Sequence, residues 1–320
     1  MEAATARTLR QAPDLPVWAG VGAYAMLAVT TFSASRFMVP TSDAIAVATP
    51  LVVGSIASIA ALTIFPGLRV ARIISAILQF SLCGVSTAML AFSAARLGMP
   101  LIDAQLLSFD HAIGYDWETF ASIVARSPEL ELFLERSYEA LFWQPFLAAV
   151  VLSFYRDAHA LNKLVIAHLM VMMITVVIFA IWPAMTAWAY LQTPAPIIRQ
   201  LHLQSTMNWV NGLVAIRSGV PLYVSAQSSF SIIGFPSYHC AAGFLYSYTF
   251  WSNQALRYPV VVVNVMMIAA TPIMGGHYLA DVVGAMLVTC TAIWLTRLAF
   301  SGRRDVQESM HWRRRPIVQA

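Results

Sequence analysis

The sequence predicts an all-α, polytopic membrane helix bundle of about eight transmembrane helices. Three observations predict it. The chain is 59% hydrophobic and only 11% charged, where a soluble domain carries about 25% charge, so a polar surface cannot be built. Apolar runs of about 20 residues recur, each long enough to cross roughly 30 Å of hydrocarbon. Runs of that length mean helices, because a backbone in lipid must satisfy its own hydrogen bonds.

Residues 1–16 form a polar tail with Arg7 and Arg10 and no cleavable signal, so the first span reads as an uncleaved anchor. Spans are expected near 17–38, 44–65, 73–95, 137–155, 164–190, 236–253, 257–274 and 277–299. Three polar stretches remain: 96–136, 191–235 and the tail from Ser301. The chain therefore divides into a tail and three spans over 1–95, a core with large loops over 96–299, and a basic tail over 300–320.

Cation placement sets the expected orientation. With the N-terminus inside and eight spans, the cytoplasmic side holds Arg7, Arg10, Arg69, Arg72, Arg156, Lys163, Arg257, Arg297 and the five arginines of the tail. The other side holds only Arg36, Arg96, Arg126, Arg136, Arg199 and Arg217. Both termini are thus expected in the cytoplasm, with 96–136 and 191–235 outside. The net charge of +4 is a topology signal, and a nucleic-acid partner is not expected. The expected surroundings are the lipid bilayer, most simply a bacterial inner membrane.

In the first outer stretch Asp116 can cap a short interfacial helix with Trp117, Phe120, Ile123 and Val124 on one face. Ser127-Pro128 reads as a second helix start. Glu131, Glu135 and Glu139, four apart, read as a wetted acidic stripe. Trp182, Trp188 and Tyr190 read as interfacial anchors. His168 reads as an interhelical hydrogen-bonding group, and His111, His159, His202 and His311 as surface residues. Cys83, Cys240 and Cys290 lack close cysteine partners and read as small buried residues.

Residues 217–284 carry the chemistry. Gly234-Phe235-Pro236-Ser237-Tyr238-His239 opens the sixth span, with Pro236 expected in its first turn. Amides near Ser237 and Tyr238, with the Ser237 hydroxyl, form a candidate anion site beside His239. Gly275-Gly276 then permits a tight turn and close ligand approach before His277. Asp281 lies four residues on, where its carboxylate can hold one imidazole nitrogen and leave the other free. Ionisable groups in apolar helices are costly and usually functional. Two crossings separate the histidines, so both face the same side.

The Pro-Ser-x-His and Gly-x-His-Tyr-x-x-Asp-Val-x-x-Gly blocks resemble the second and third signature blocks of the type-2 phosphatidic acid phosphatase superfamily. The Gly-His-Tyr variant most resembles its inositol phosphorylceramide synthase-like, inositolphosphotransferase branch. The resemblance implies a six-helix core with the first two spans added. It implies a membrane-embedded lipid phosphatase or head-group phosphotransferase, without cofactor or metal, acting on a lipid phosphate or phosphodiester at the outer, periplasmic face. His277 would be the nucleophile forming a phosphohistidine, Asp281 its brace, and His239 the acid and base. Ser237, Tyr238 and Gly276 would bind the phosphate.

Cationic positions of two blocks of that pattern are missing. The first block's Lys and Arg-Pro correspond at best to Ser137 and Gln144-Pro145, and the Ser-Arg before the third block reads Ala270-Thr271. Gln144 and Arg217 are therefore the expected additional phosphate ligands, with Arg199 and Arg136 weaker substitutes. Three other readings use the same residues. They are a proton-coupled transporter, an inactive family member, and a zinc site on His239, His277 and Asp281.

Overall fold

The computed structural model describes residues 14–155, 158–219, 224 and 232–301. These residues form helices and the turns between them. Helix α1 (Leu15–Ala34) starts with Pro16 in its first turn, where a missing N–H costs nothing. Its buried face, Val17, Val21, Tyr24 and Ala28, recurs at three and four. That face meets α3 (Arg69–Ala95), where Trp18 Nε1 donates to Ser75 Oγ at 3.0 Å and Tyr24 Oη pairs with Thr87 Oγ1 at 3.0 Å. Helix α2 (Thr41–Ile64) packs on α3 alone among its closest neighbours and leaves Ile45, Val52, Val53 and Ile56 exposed. Lipid tails are as apolar as these side chains, so the exposure is not penalised.

The central helices are α7 (Ala140–Phe154), α8 (Ala158–Ile181), α12 (Tyr238–Phe250), α13 (Arg257–Met274) and α14 (Leu279–Phe300). A continuous core joins α1, α3, α7, α8, α12 and α14 through Phe80, Leu152, Val165, Leu245 and Val288, among others. Thr289 Oγ1 donates across to Ala241 O at 3.0 Å, fixing α14 against α12. His168 stands in this core and pairs with Tyr238 Oη at 3.1 Å, the interhelical bond expected of it. Cys83 and Cys240 are buried as expected, whereas Cys290 is exposed on the outer surface of α14.

Among the described residues, six helices are long and apolar enough to cross a membrane: α1, α2, α3, α8, α13 and α14. The expected fourth and sixth spans are shorter helices of 15 and 13 residues, α7 and α12. Helix α7 is preceded directly by α6 (Pro128–Tyr138), with Glu139 between them. Helix α12 is short because residues 234–237 form a turn instead of its first turn. Pro236 therefore lies outside the helix, after a cis Phe235–Pro236 peptide, and Ser237 is the cap.

The two polar stretches build a cap over one end of the bundle. It contains α4 (Asp103–Ala112), α5 (Trp117–Ala125), α6, α9 (Ala187–Tyr190), α10 (Ala195–Gln200) and α11 (Gln204–Arg217). Asp116 caps α5 through Thr119 N at 2.7 Å, and Ser127 caps α6 through Leu130 N, both as the sequence predicts. The buried face of α5 differs from the expected one. Trp117, Ala121 and Val124 point inward, and Phe120 and Ile123 are exposed. The reason is a tether: Trp117 Nε1 donates to Pro272 O at 2.7 Å, turning the helix onto α13. Glu131 is not part of a wetted face either; it is buried and accepts from His202 Nδ1 at 3.0 Å.

Candidate active site

The heads of α12 and α14 and the foot of α13 converge beneath the cap. Ser237 is wholly buried, and its Oγ accepts from Cys240 N at 3.4 Å, a helix cap that starts α12 there. His239 follows in the first turn, only 8% exposed, with Nε2 buried and unpaired among the described residues. Its ring stacks on Tyr138 at 3.8 Å between centroids and 13° between planes.

Helix α14 starts at Leu279, two residues later than expected, so His277 stands just outside it. The i, i+4 pair forms nonetheless: His277 Nδ1 donates to Asp281 Oδ2 at 2.8 Å. The same oxygen accepts Tyr278 N at 3.0 Å. An imidazole that donates from Nδ1 keeps its Nε2 lone pair free. Gly276 has φ +65, and a Cβ there would lie 2.6 Å from Trp188 Cδ1, so no other residue fits the turn without strain. A Cβ on Gly275 would meet His277 Cδ2 at 2.5 Å and Tyr138 Oη at 3.0 Å. Tyr138 thus touches both parts of the site, stacked on His239 and with its hydroxyl against the turn that precedes His277.

Two aspartates absent from the sequence reading hold this arrangement. Asp110 accepts Leu279 N at 2.9 Å and Ala280 N at 3.0 Å, so it caps α14 from another helix. Asp103 accepts Met185 N at 3.0 Å and the Tyr278 hydroxyl at 2.9 Å. Burial pushes both carboxyls above their ordinary range, against the pull of these bonds. The signal was present: two acids seven apart, two helical turns, share one helical face.

The expected phosphate ligands fare differently. Ser237 and Gly276 lie at the two turns. The Tyr238 side chain leaves the site for His168. Gln144 is buried with Nε2 on Met267 Sδ at 3.6 Å. Arg217 donates to Met99 O at 2.8 Å, and Arg136 is exposed and paired with Glu139 at 2.7 Å. Trp188, expected as a surface anchor, is instead buried against Gly276. Among the described residues no group of three or more His, Cys, Asp or Glu is placed to hold a metal ion.

A family model for the PAP2 superfamily matches residues 104–295. The chain belongs to the PAP2 superfamily. The matched region contains both histidine blocks and Asp281, together with Asp110, Tyr138 and Trp188, and begins after α3. Membership and six apolar helices make this an integral membrane protein with phosphatase-like chemistry in general. No curated protein and no solved structure matches the chain.

Proposed function

We propose that this PAP2 superfamily protein is a lipid phosphatase or head-group phosphotransferase working through a phosphohistidine at the outer face of the membrane. The observation that carries the reading is the buried His277–Asp281 pair at 2.8 Å, with His239 stacked on Tyr138. Asp281 fixes the tautomer that leaves His277 Nε2 as the attacking lone pair. Nε2 bonds to phosphorus while the phosphorus–oxygen bond to the leaving group breaks. His239 Nε2–H supplies the proton to the departing oxygen. An incoming water or alcohol then gives its proton back to His239, its oxygen bonds to phosphorus, and the nitrogen–phosphorus bond breaks. Water makes the protein a hydrolase; an alcohol makes it a transferase. The nearest substrate class is a lipid phosphate or phosphodiester, presented at the bacterial periplasmic face with both termini in the cytoplasm. What favours the inositolphosphotransferase-like branch is the Gly276-His277-Tyr278 form of the third block.

The test is purified protein in detergent with a panel of lipid phosphates and phosphodiesters, with and without an alcohol acceptor. Free phosphate or a new head group is expected, together with acid-labile phosphate on the wild-type chain. His277→Ala should abolish both while inserting normally. Retained turnover in that variant would falsify the assignment.

A further inference from the structure

The residues around the Gly275–Gly276 turn answer a question that the missing cations raise: what holds the phosphoryl oxygens. The turn is flanked on both sides by unpaired neutral donors. Against Gly275 stands Tyr138 Oη, within 3.0 Å of the Cβ position, and no described residue is recorded as its hydrogen-bond partner. Against Gly276 stands Trp188 Nε1, within 2.8 Å of the Cβ position. That indole N–H is fully buried and unpaired among the described residues, and Trp188 is only 7% exposed. Buried donors are nearly always paired, so a permanently orphaned one calls for an occupant.

The surroundings also say what holds each donor in place. Ala187 N donates to Gly276 O at 2.7 Å, so the chain beside Trp188 is bonded to the turn itself. Tyr138 is held flat against His239 by the stack. Arg217 gives Nη2 to Met99 O and keeps Nη1 buried and unpaired among the described residues, while Arg136 is held by Glu139 and Arg96 by Ile216 O and the Phe37 face. The stretch from Ser218 to Pro236 contains no Lys or Arg at all.

We propose that the Tyr138 hydroxyl and the Trp188 indole N–H are phosphate-binding groups that grip the non-bridging oxygens from opposite sides of the Gly275–Gly276 turn. Neutral donors fixed in a water-poor site stabilise an oxyanion strongly because they need no reorganisation. The inference rests on the reading of this site as a phosphoryl-transfer centre, yet anion binding tests it separately from turnover.

The experiment measures inorganic phosphate and orthovanadate binding to the purified full chain by calorimetry, alongside turnover and thermal unfolding. Tyr138→Phe keeps the stack and removes only the hydroxyl. Trp188→Phe keeps an aromatic ring and removes the N–H together with part of the indole's volume, so its thermal midpoint is read beside its anion affinity. Each variant should weaken anion binding about tenfold to hundredfold, the usual effect of one bond to a charged group. Thermal midpoints should stay near wild type in Tyr138→Phe. Two results overturn the proposal: anion affinity unchanged in both variants, or no anion binding by the wild type. Weakened binding in a chain that shows no phosphoryl transfer would keep the cradle and remove the mechanism above.

Discussion

Replacing Asp110 should loosen the head of α14 and, with it, the placement of His277. The carboxylate takes two amides, Leu279 N at 2.9 Å and Ala280 N at 3.0 Å, and Asp110 is 1% exposed. A hydrogen bond to a charged group contributes about 1.5–3 kcal/mol, so the pair sets a ceiling of about 6 kcal/mol. Water entering the cap would recover part of this, as it does at ordinary helix caps, where losses are about 0.5–2 kcal/mol. Asp110→Ala is therefore expected to cost about 3 kcal/mol, and Asp110→Asn, with one acceptor left, roughly half of that. In detergent the thermal midpoint should fall by about 5–10 °C for Ala. His277 lies two residues before Leu279, so turnover should fall further than stability, and the Asn variant should rescue both in part. An Ala variant that melts and turns over like wild type would refute the idea that this carboxylate organises the site.

Other outcomes follow from the same structure. The hydrogen bond and charge of Glu131 raise the His202 imidazole above its ordinary value. The pair's contribution is therefore complete below about pH 6.5 and is lost as pH rises through the raised value. Thermal unfolding between pH 5.5 and 8.5 should show this difference in wild type and lose it in Glu131→Gln, and the effect should be small because His202 is mostly exposed. Among glycines, Gly234→Ala should be severely destabilising, since its Cβ would press on the Met185 and Ala184 carbonyl oxygens. Gly212→Ala, in open space within α11, should instead stabilise by up to about 1 kcal/mol in the same melting assay.

What the sequence disclosed was local. The His277–Asp281 pair is four residues apart, and the Asp116 and Ser127 caps act within three. Each is fixed by helix geometry, so spacing alone predicts it. The supports of the site are not local. Asp103 meets Tyr278 across 175 positions and Asp110 meets Leu279 across 169, and no periodicity encodes such distances. Trp188 read as an interfacial anchor and nothing marked Tyr138, because their importance comes only from the glycine turn they flank. The face of α5 was misread for a related reason: Trp117 answers to Pro272, not to the bilayer surface.

The brevity of α12 has a consequence for the substrate. Thirteen residues extend about 20 Å, against roughly 30 Å of hydrocarbon. Its far end carries the exposed Trp251, a side chain suited to a headgroup boundary. On the proposed topology, with that end at the inner leaflet, His239 would rest about 10 Å beneath the opposite rim. A lipid would then reach the imidazole by dipping its headgroup, its tails never leaving the oil, and the depth of the reaction would be set by the length of a single helix.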